Sequence, residues 1–306
     1  MSKSPTAQQT LRRSAEQKAA SLPALLVDAE RVANTVAFGI HGRRRVGQGE
    51  AFWQFRHYSA GDSRSAIDWR KSARAASHEN LYVRESEWEA AQSVYLAIES
   101  GPSMNYQSTE NHRTKNDVAT ILGLALALLL VRAGERIANL NSDTPPTTGR
   151  AAYNRFAEEL LKQDGKTTTF KPGRKLPANA RVVYISDFLK PIDELMSELN
   201  GPINQGLQGF LLQVNDQAEE DFPFSGRTLF KAPTDSRAIT FGRAENLKAD
   251  YRQSFLAHRA ALSDAVTRSG WGFTTHRTDR PLEAALLALY LHLSGDHVDH
   301  GQIGIA

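Results

Sequence analysis

The densest collection of groups able to do chemistry lies between Gly47 and Glu89. Arg56, Arg64, Arg74 and Arg84 are interleaved there with Asp62, Asp68 and Glu85, and with the rings of Trp53, Phe55, Tyr58 and Trp69. Guanidinium–carboxylate pairs are strong and directional, and aromatic rings supply apolar anchors. The segment therefore suits two roles: an internal ion-pair network that fastens a small hairpin-like attachment to the fold, or a protein-binding surface, since Arg and aromatics carry much of the energy at interfaces. His57 near Asp62 or Asp68 has the composition of a general base with its orienter, although a solvated histidine beside a charged turn is the simpler reading. The sequence holds no Gly-x-x-x-x-Gly-Lys-Ser/Thr loop, no Gly-x-Ser-x-Gly elbow and no His-Glu-x-x-His, so these mechanistically legible catalytic motifs are missing. His297 and His300 sit among carboxylates in the last residues and read as a solvated tail.

The charge is distributed unevenly. The 306 residues carry a formal +3, yet residues 41–84 hold nine Lys/Arg against four Asp/Glu, a local excess of five, so the rest of the chain is slightly acidic. A total so near zero argues against a nucleic-acid-coating protein, while Arg43, Arg44 and Arg45 keep phosphate contact open as an alternative for this stretch. There is no cysteine, which excludes disulfides, thiolate metal sites and cysteine catalysis. The most apolar run, Val118 to Val131, is about 14 residues against the roughly 20 that a membrane span needs, and reads as a buried helix. No membrane span and no export signal are expected, and with them a cytoplasmic location.

Residues 1–20 read as a polar leader, and residues 296–306 as a tail. An apolar spacing of three to four from Leu22 to Val36 predicts an amphipathic helix ended by Gly39 and Gly42. From about residue 90 short β-rich runs alternate with helical ones. Strands are expected at Ser93–Ile98, Arg136–Leu140, Arg181–Ser186, Gly209–Val214, Arg227–Lys231 and Gly272–Thr275. Helices are expected from Asp117, over Ala151–Leu161 and Ile192–Leu199, along the face Leu247, Tyr251, Phe255, Leu262, Val266, and over Pro281–Leu293. This alternation predicts an α/β fold with a mostly parallel sheet covered by helices on both faces, over residues 90–295, preceded by an N-terminal attachment over residues 21–89.

The order Gly47-x-Gly49-Glu50 with Phe52, Arg56-x-Tyr58, Gly61-Asp62, Arg64 with Ile67-Asp68-Trp69, Ala73-Arg74 and Val83-Arg84-Glu85 resembles the domain-of-unknown-function 58 family, with Ala51 inserted where the family has its Phe. The resemblance runs more faintly to Gly295 and takes in the acidic turn Ala218 to Phe224 with Gly226-Arg227. It implies a von Willebrand factor A-like (Rossmann-like) sheet starting at Ser93. It also implies a non-enzymatic protein-binding adaptor acting beside an AAA+ ATPase of the MoxR type, in the maturation, metal loading or assembly of client proteins. On this reading Arg56, Tyr58, Asp62, Arg64, Asp68, Trp69 and Arg74 are the partner-binding residues.

In von Willebrand factor A domains that bind a divalent ion, the first strand ends in Asp-x-Ser-x-Ser, joined by a Thr and a second Asp from neighbouring loops. Here Glu99 stands for the first Asp, Gly101 for the first Ser and Ser103 for the second, while Asp187 retains the carboxylate after a later strand and Thr147 or Thr148 would supply the hydroxyl. A lost hydroxyl and a longer carboxylate leave at most a weak Mg²⁺ site. Asp187 and Ser103 serve equally well as helix caps or turn formers.

Overall fold

The computed structural model describes residues 23–38, 51–59, 64, 67–74, 81–87, 91–110, 112–163, 170, 172–233 and 237–293, with the backbone alone at 51–56 and 84–87. The chain divides into two units, residues 44–91 and the remainder.

In the larger unit, alternating strands and helices build a five-stranded sheet. The strands are β3 (Ser93–Ile98), β4 (Arg136–Asn139), β5 (Arg181–Ser186), β6 (Gln208–Asn215) and β9 (Gly272–Arg277), in the order β4-β3-β5-β6-β9. Every neighbouring pair is parallel. Helices α3 (Lys115–Arg132), α4 (Gly149–Lys162), α5 (Ile192–Asn204), α7 (Lys248–Arg268) and α8 (Leu282–Leu293) join or follow the strands. A parallel strand needs a crossover of a dozen residues or more, and the long helical stretches supply it. The fold is thus α/β with a parallel sheet, as the sequence predicts.

Side chains alternate across the strands, so each strand feeds two cores. Val94, Leu96, Ile98, Val183, Ile185, Phe210, Leu212 and Val214 pack with α3, α4, α8 and the first helix, α1 (residues 23–38). Tyr95, Ala97, Val182, Tyr184 and Leu211 pack with Leu195 and Leu199 of α5 and Leu262 and Val266 of α7. Helix α3 is apolar around most of its circumference because it is enclosed by the sheet, α1, α4 and α8. Gly123 lets it lie directly on the sheet: a Cβ there would meet Ile98 Cδ1 at 2.0 Å. Helix α1 buries Ala29, Val32 and Val36 in the same core and so belongs with the sheet, whereas the sequence reading grouped it with the signature segment.

One expected strand has a different place. β7 (Thr228–Lys231) lies in a separate two-stranded antiparallel ribbon with β8 (Ala238–Phe241), a strand the sequence reading missed. The chain between β6 and β7 holds only the five-residue helix α6 (Gln217–Asp221) and a turn, and β7 pairs with the strand that follows it in sequence. Phe230 of the ribbon stacks on Phe222 and meets Phe224 and Phe241 edge-on, and Phe222 packs against Tyr251 of α7.

The smaller unit is built on an antiparallel hairpin of β1 (Ala51–His57) and β2 (Tyr82–Glu87), with a register shift between Phe52 and Gln54. Between the strands, Ile67 bridges Val83, and both are buried. The four-residue helix α2 (Trp69–Ser72) follows. No helix among the described residues is long and apolar enough to cross a membrane.

Candidate functional site

In an open parallel sheet, ligands bind beyond the carboxyl ends of the strands at the point where the strand order reverses. Here β4 lies on one side of β3 and β5 on the other, so that point falls between Ile98 and Ser186. Glu99 and Ser100 follow β3 there, and Asp187 follows β5. All three are buried. Sequence reasoning therefore places Glu99 and Asp187 at the correct edge.

The structure adds a residue that it did not single out. Lys115, the first residue of α3, has no solvent exposure, and its Nζ donates to Asp187 Oδ2 at 2.9 Å and to Glu219 Oε1 at 2.5 Å. Its ammonium also lies 6.0 Å from the centre of the Tyr106 ring. Burial pushes the Lys115 pKa down, but the charges and hydrogen bonds of Asp187 and Glu219 outweigh burial and hold it above the ordinary lysine range, so the group stays charged. Glu219 is the third residue of α6, which begins with a reciprocal cap: Asp216 accepts from Ala218 N–H, and Glu219 Oε2 accepts from Asp216 N–H at 2.8 Å. Asp216 Oδ2 further accepts from Ser108 N–H at 3.0 Å, which ties the segment after β3 to the end of β6.

Glu99 is arranged differently. Burial raises its pKa, opposed by a short hydrogen bond that Ser186 Oγ donates to its carboxylate. Ser186 Oγ in turn accepts from Phe188 N–H at 3.0 Å. The other carboxylate oxygen of Glu99 curls toward Gly101, where a Cβ would lie 3.2 Å from it. The longer acid thus fills the space left by the missing serine. Asp187 also forms the turn that the sequence allowed, its Oδ1 accepting from Leu189 N–H at 3.2 Å.

The remaining members of the expected metal shell do not join them. Thr147 pairs with Ile137, near the start of β4 and away from the carboxyl edge, and its hydroxyl accepts from Arg155. Thr148 is the N-cap position of α4. Ser103 lies half-buried in a 3₁₀ turn, Pro102–Asn105. Among the described residues no three imidazoles or acidic side chains converge to hold a metal. Mg²⁺ requires a near-octahedral oxygen shell at about 2.0–2.1 Å. With Lys115 seated on Asp187 and Glu219, and Glu99 turned to Ser186 and Gly101, the donor set does not fit that ion.

Further hydrogen bonds and ion pairs extend from Asp187 and the acidic residues of α6. Gln213 Nε2 donates to the Asp187 carbonyl at 2.9 Å, its Oε1 accepts from Arg259 Nε at 3.0 Å, and Arg259 pairs with Glu220. Arg277 binds Asp279 through two bonds of 2.7 Å and reaches Asp221 at 3.3 Å.

The residues assigned to partner binding lie in the smaller unit. Asp68 is the N-cap of α2, its carboxylate accepting from Lys71 N–H at 2.8 Å, and so has a local structural duty. Trp69 is 62% exposed, and Arg64 and Arg74 are exposed beside it in sequence. Tyr58 is half-buried, with its N–H donating to the Leu81 carbonyl at 2.8 Å. Asp62 and the side chains of Arg56, Arg84 and Glu85 lie outside the described residues, as do Arg43, Arg44, Arg45, His297 and His300.

No curated protein is significantly similar to the chain. An aerotolerance-related membrane protein from Bacteroides fragilis shares 13% identity at a TM-score of 0.41, over 67% of this chain and 99% of its own. The conserved hypothetical protein BatB from Bacteroides thetaiotaomicron shares 10% at a TM-score of 0.37, over 67% and 98%. Likenesses of that size fix neither a partner nor an activity. The model of the family described as protein of unknown function DUF58 matches residues 54–261, which include most of the hairpin, α2, the Glu99–Asp187 edge and Glu219. The chain belongs to the DUF58 family.

Proposed function

We propose that the protein is a non-enzymatic, protein-binding adaptor that works in the cytoplasm with a MoxR-type AAA+ ATPase in the maturation or assembly of client proteins. The ATPase and the client are what the family resemblance implies. The observation that supports a binding role is Trp69, a residue left 62% exposed on a backbone fixed from both sides. Asp68 caps the helix beneath it, and Ser72 Oγ both donates to the Asp68 carbonyl at 2.8 Å and accepts from Tyr82 N–H at 2.9 Å. A ring carried on a fixed backbone has less conformational freedom to lose on docking than one on a mobile loop. With exposed Arg64, Arg70 and Arg74 near it in sequence, it has the composition of an interface centre.

The test is an affinity capture of the tagged chain from its native host, with ATP and Mg²⁺, beside a Trp69→Ala variant. Recovery of an AAA+ ATPase that drops about tenfold or more in the variant supports the adaptor reading and the anchor, because tenfold corresponds to roughly 1.4 kcal/mol, within reach of one interface tryptophan. Equal recovery by both proteins removes Trp69 from the interface, and recovery of no ATPase removes the adaptor reading. The same basic cluster favours nucleic acid as the second reading. Bound nucleic acid that dissociates above roughly 0.2 M salt is its signature.

A further inference from the structure

The carboxyl edge of the sheet already holds a cation, and it is covalently part of the chain. Lys115 Nζ contacts carboxylates from two separate segments, the turn after β5 and helix α6 after β6, beside the point where the strand order reverses. The three groups are 0%, 4% and 15% exposed at their side chains, so neither bulk ions nor a partner's carboxylate compete freely for them. Asp187 and Glu219 offer hard oxygen donors of the kind a divalent ion takes, but the charge between them is delivered by a side chain on α3.

We infer that Lys115 is a resident substitute for a divalent cation: it neutralises Asp187 and Glu219 in place of the metal, so that the edge is assembled without Mg²⁺ and its interactions do not depend on divalent ions. Four features of the site agree. Lys115 stands at the first position of a helix, where the positive end of the backbone dipole disfavours a cation and only specific carboxylates offset the penalty. Gly101 lacks the serine hydroxyl that a metal would use, and Glu99 Oε1 lies beside that position. Asp187 Oδ1 is committed to Leu189 N–H while Oδ2 takes the ammonium, so both oxygens are occupied. Glu219 similarly divides its oxygens between Lys115 and Asp216 N–H.

A further consequence is that the metal site is latent. Two carboxylates and several waters are enough for a small divalent ion, and removing the ammonium leaves that set behind. The experiment uses the full chain and its Lys115→Ser variant, with Mn²⁺ as probe. For the wild type, the melting temperature is the same in EDTA and in millimolar Mg²⁺ or Mn²⁺, and the Mn²⁺ electron paramagnetic resonance spectrum is that of the free ion. For Lys115→Ser, the melting temperature falls in EDTA, rises with Mn²⁺ because the ion binds the folded state, and one equivalent of Mn²⁺ leaves the free-ion spectrum. Stoichiometric Mn²⁺ binding by the wild type overturns the inference whether or not the variant folds. A variant that folds and binds no Mn²⁺ overturns the equivalence of ammonium and metal. Neither result bears on the Trp69 capture experiment, so the two readings fail separately.

Discussion

His276, on β9, is buried next to no hydrogen-bonding partner for its Nε2 among the described residues, and burial lowers its pKa to about 4, only partly opposed by Asp279 and Glu283. In the unfolded chain the imidazole titrates near 6.5. Between these values the unfolded state binds a proton that the folded state refuses, so stability falls as pH drops from about 6.5 to about 4 and this contribution is constant above and below that window. From pH 7 to pH 5 the loss is about 2 kcal/mol. Urea midpoints for the wild type and His276→Gln should differ in slope across this range, and parallel profiles would refute the assignment. Asp68 supplies a second residue-scale expectation. Replacing this cap by Ala costs about 1 kcal/mol, read as faster hydrogen exchange at the Lys71 amide, which it binds. Asp68 also has a duty that the sequence reading did not assign it, the N-cap of α2.

The elements were legible wherever period and punctuation agreed. β3 and β5 occupy the expected residues because runs such as Val182-Val183-Tyr184-Ile185 are buried on both faces, and α8 starts after Pro281 as expected. The Arg227–Lys231 run reads as extended, but composition does not reveal its neighbour, which is β8 in a separate ribbon. Lys115 was missed for a related reason. It reads as the polar end of an apolar helix, and its partners are 72 and 104 residues away. A cation at the dipole-disfavoured end of a buried helix was the available clue. Packing between elements makes its own prediction at Gly209. A Cβ on this β6 residue would fall 2.2 Å from the Trp271 ring, which stacks on Tyr184 and donates Nε1–H to the Leu207 carbonyl at 2.8 Å. Backbone and a locked indole cannot both yield, so Gly209→Ala destabilises by about 2–3 kcal/mol in chemical denaturation, with Trp271 fluorescence shifted to the red. A neutral result would mean that the ring has another place to go.

For the molecule as a whole, residues 44–91 behave as an insertion. Ala51 pairs with Glu87, so the chain enters and leaves the hairpin on adjacent strands, and the sheet unit takes its core from residues on both sides of it. Replacing residues 44–91 with a short Gly/Ser linker should preserve far-UV circular dichroism of the α/β unit and a cooperative melt while abolishing capture of the partner. Loss of the melt would show that the larger unit requires the insertion.

The ion triad also sets an order on biosynthesis. Lys115 emerges from the ribosome 72 residues before Asp187 and 104 before Glu219. At roughly 5–20 residues per second, the lysine waits about 5–20 s for its last counter-ion. Until α6 has been translated, burying α3 at the sheet would strand an ammonium with at most one carboxylate, a state that desolvation penalises. Four of the five sheet strands are thus made before the triad can close, and burial of α3 against them is penalised until residue 219 is available.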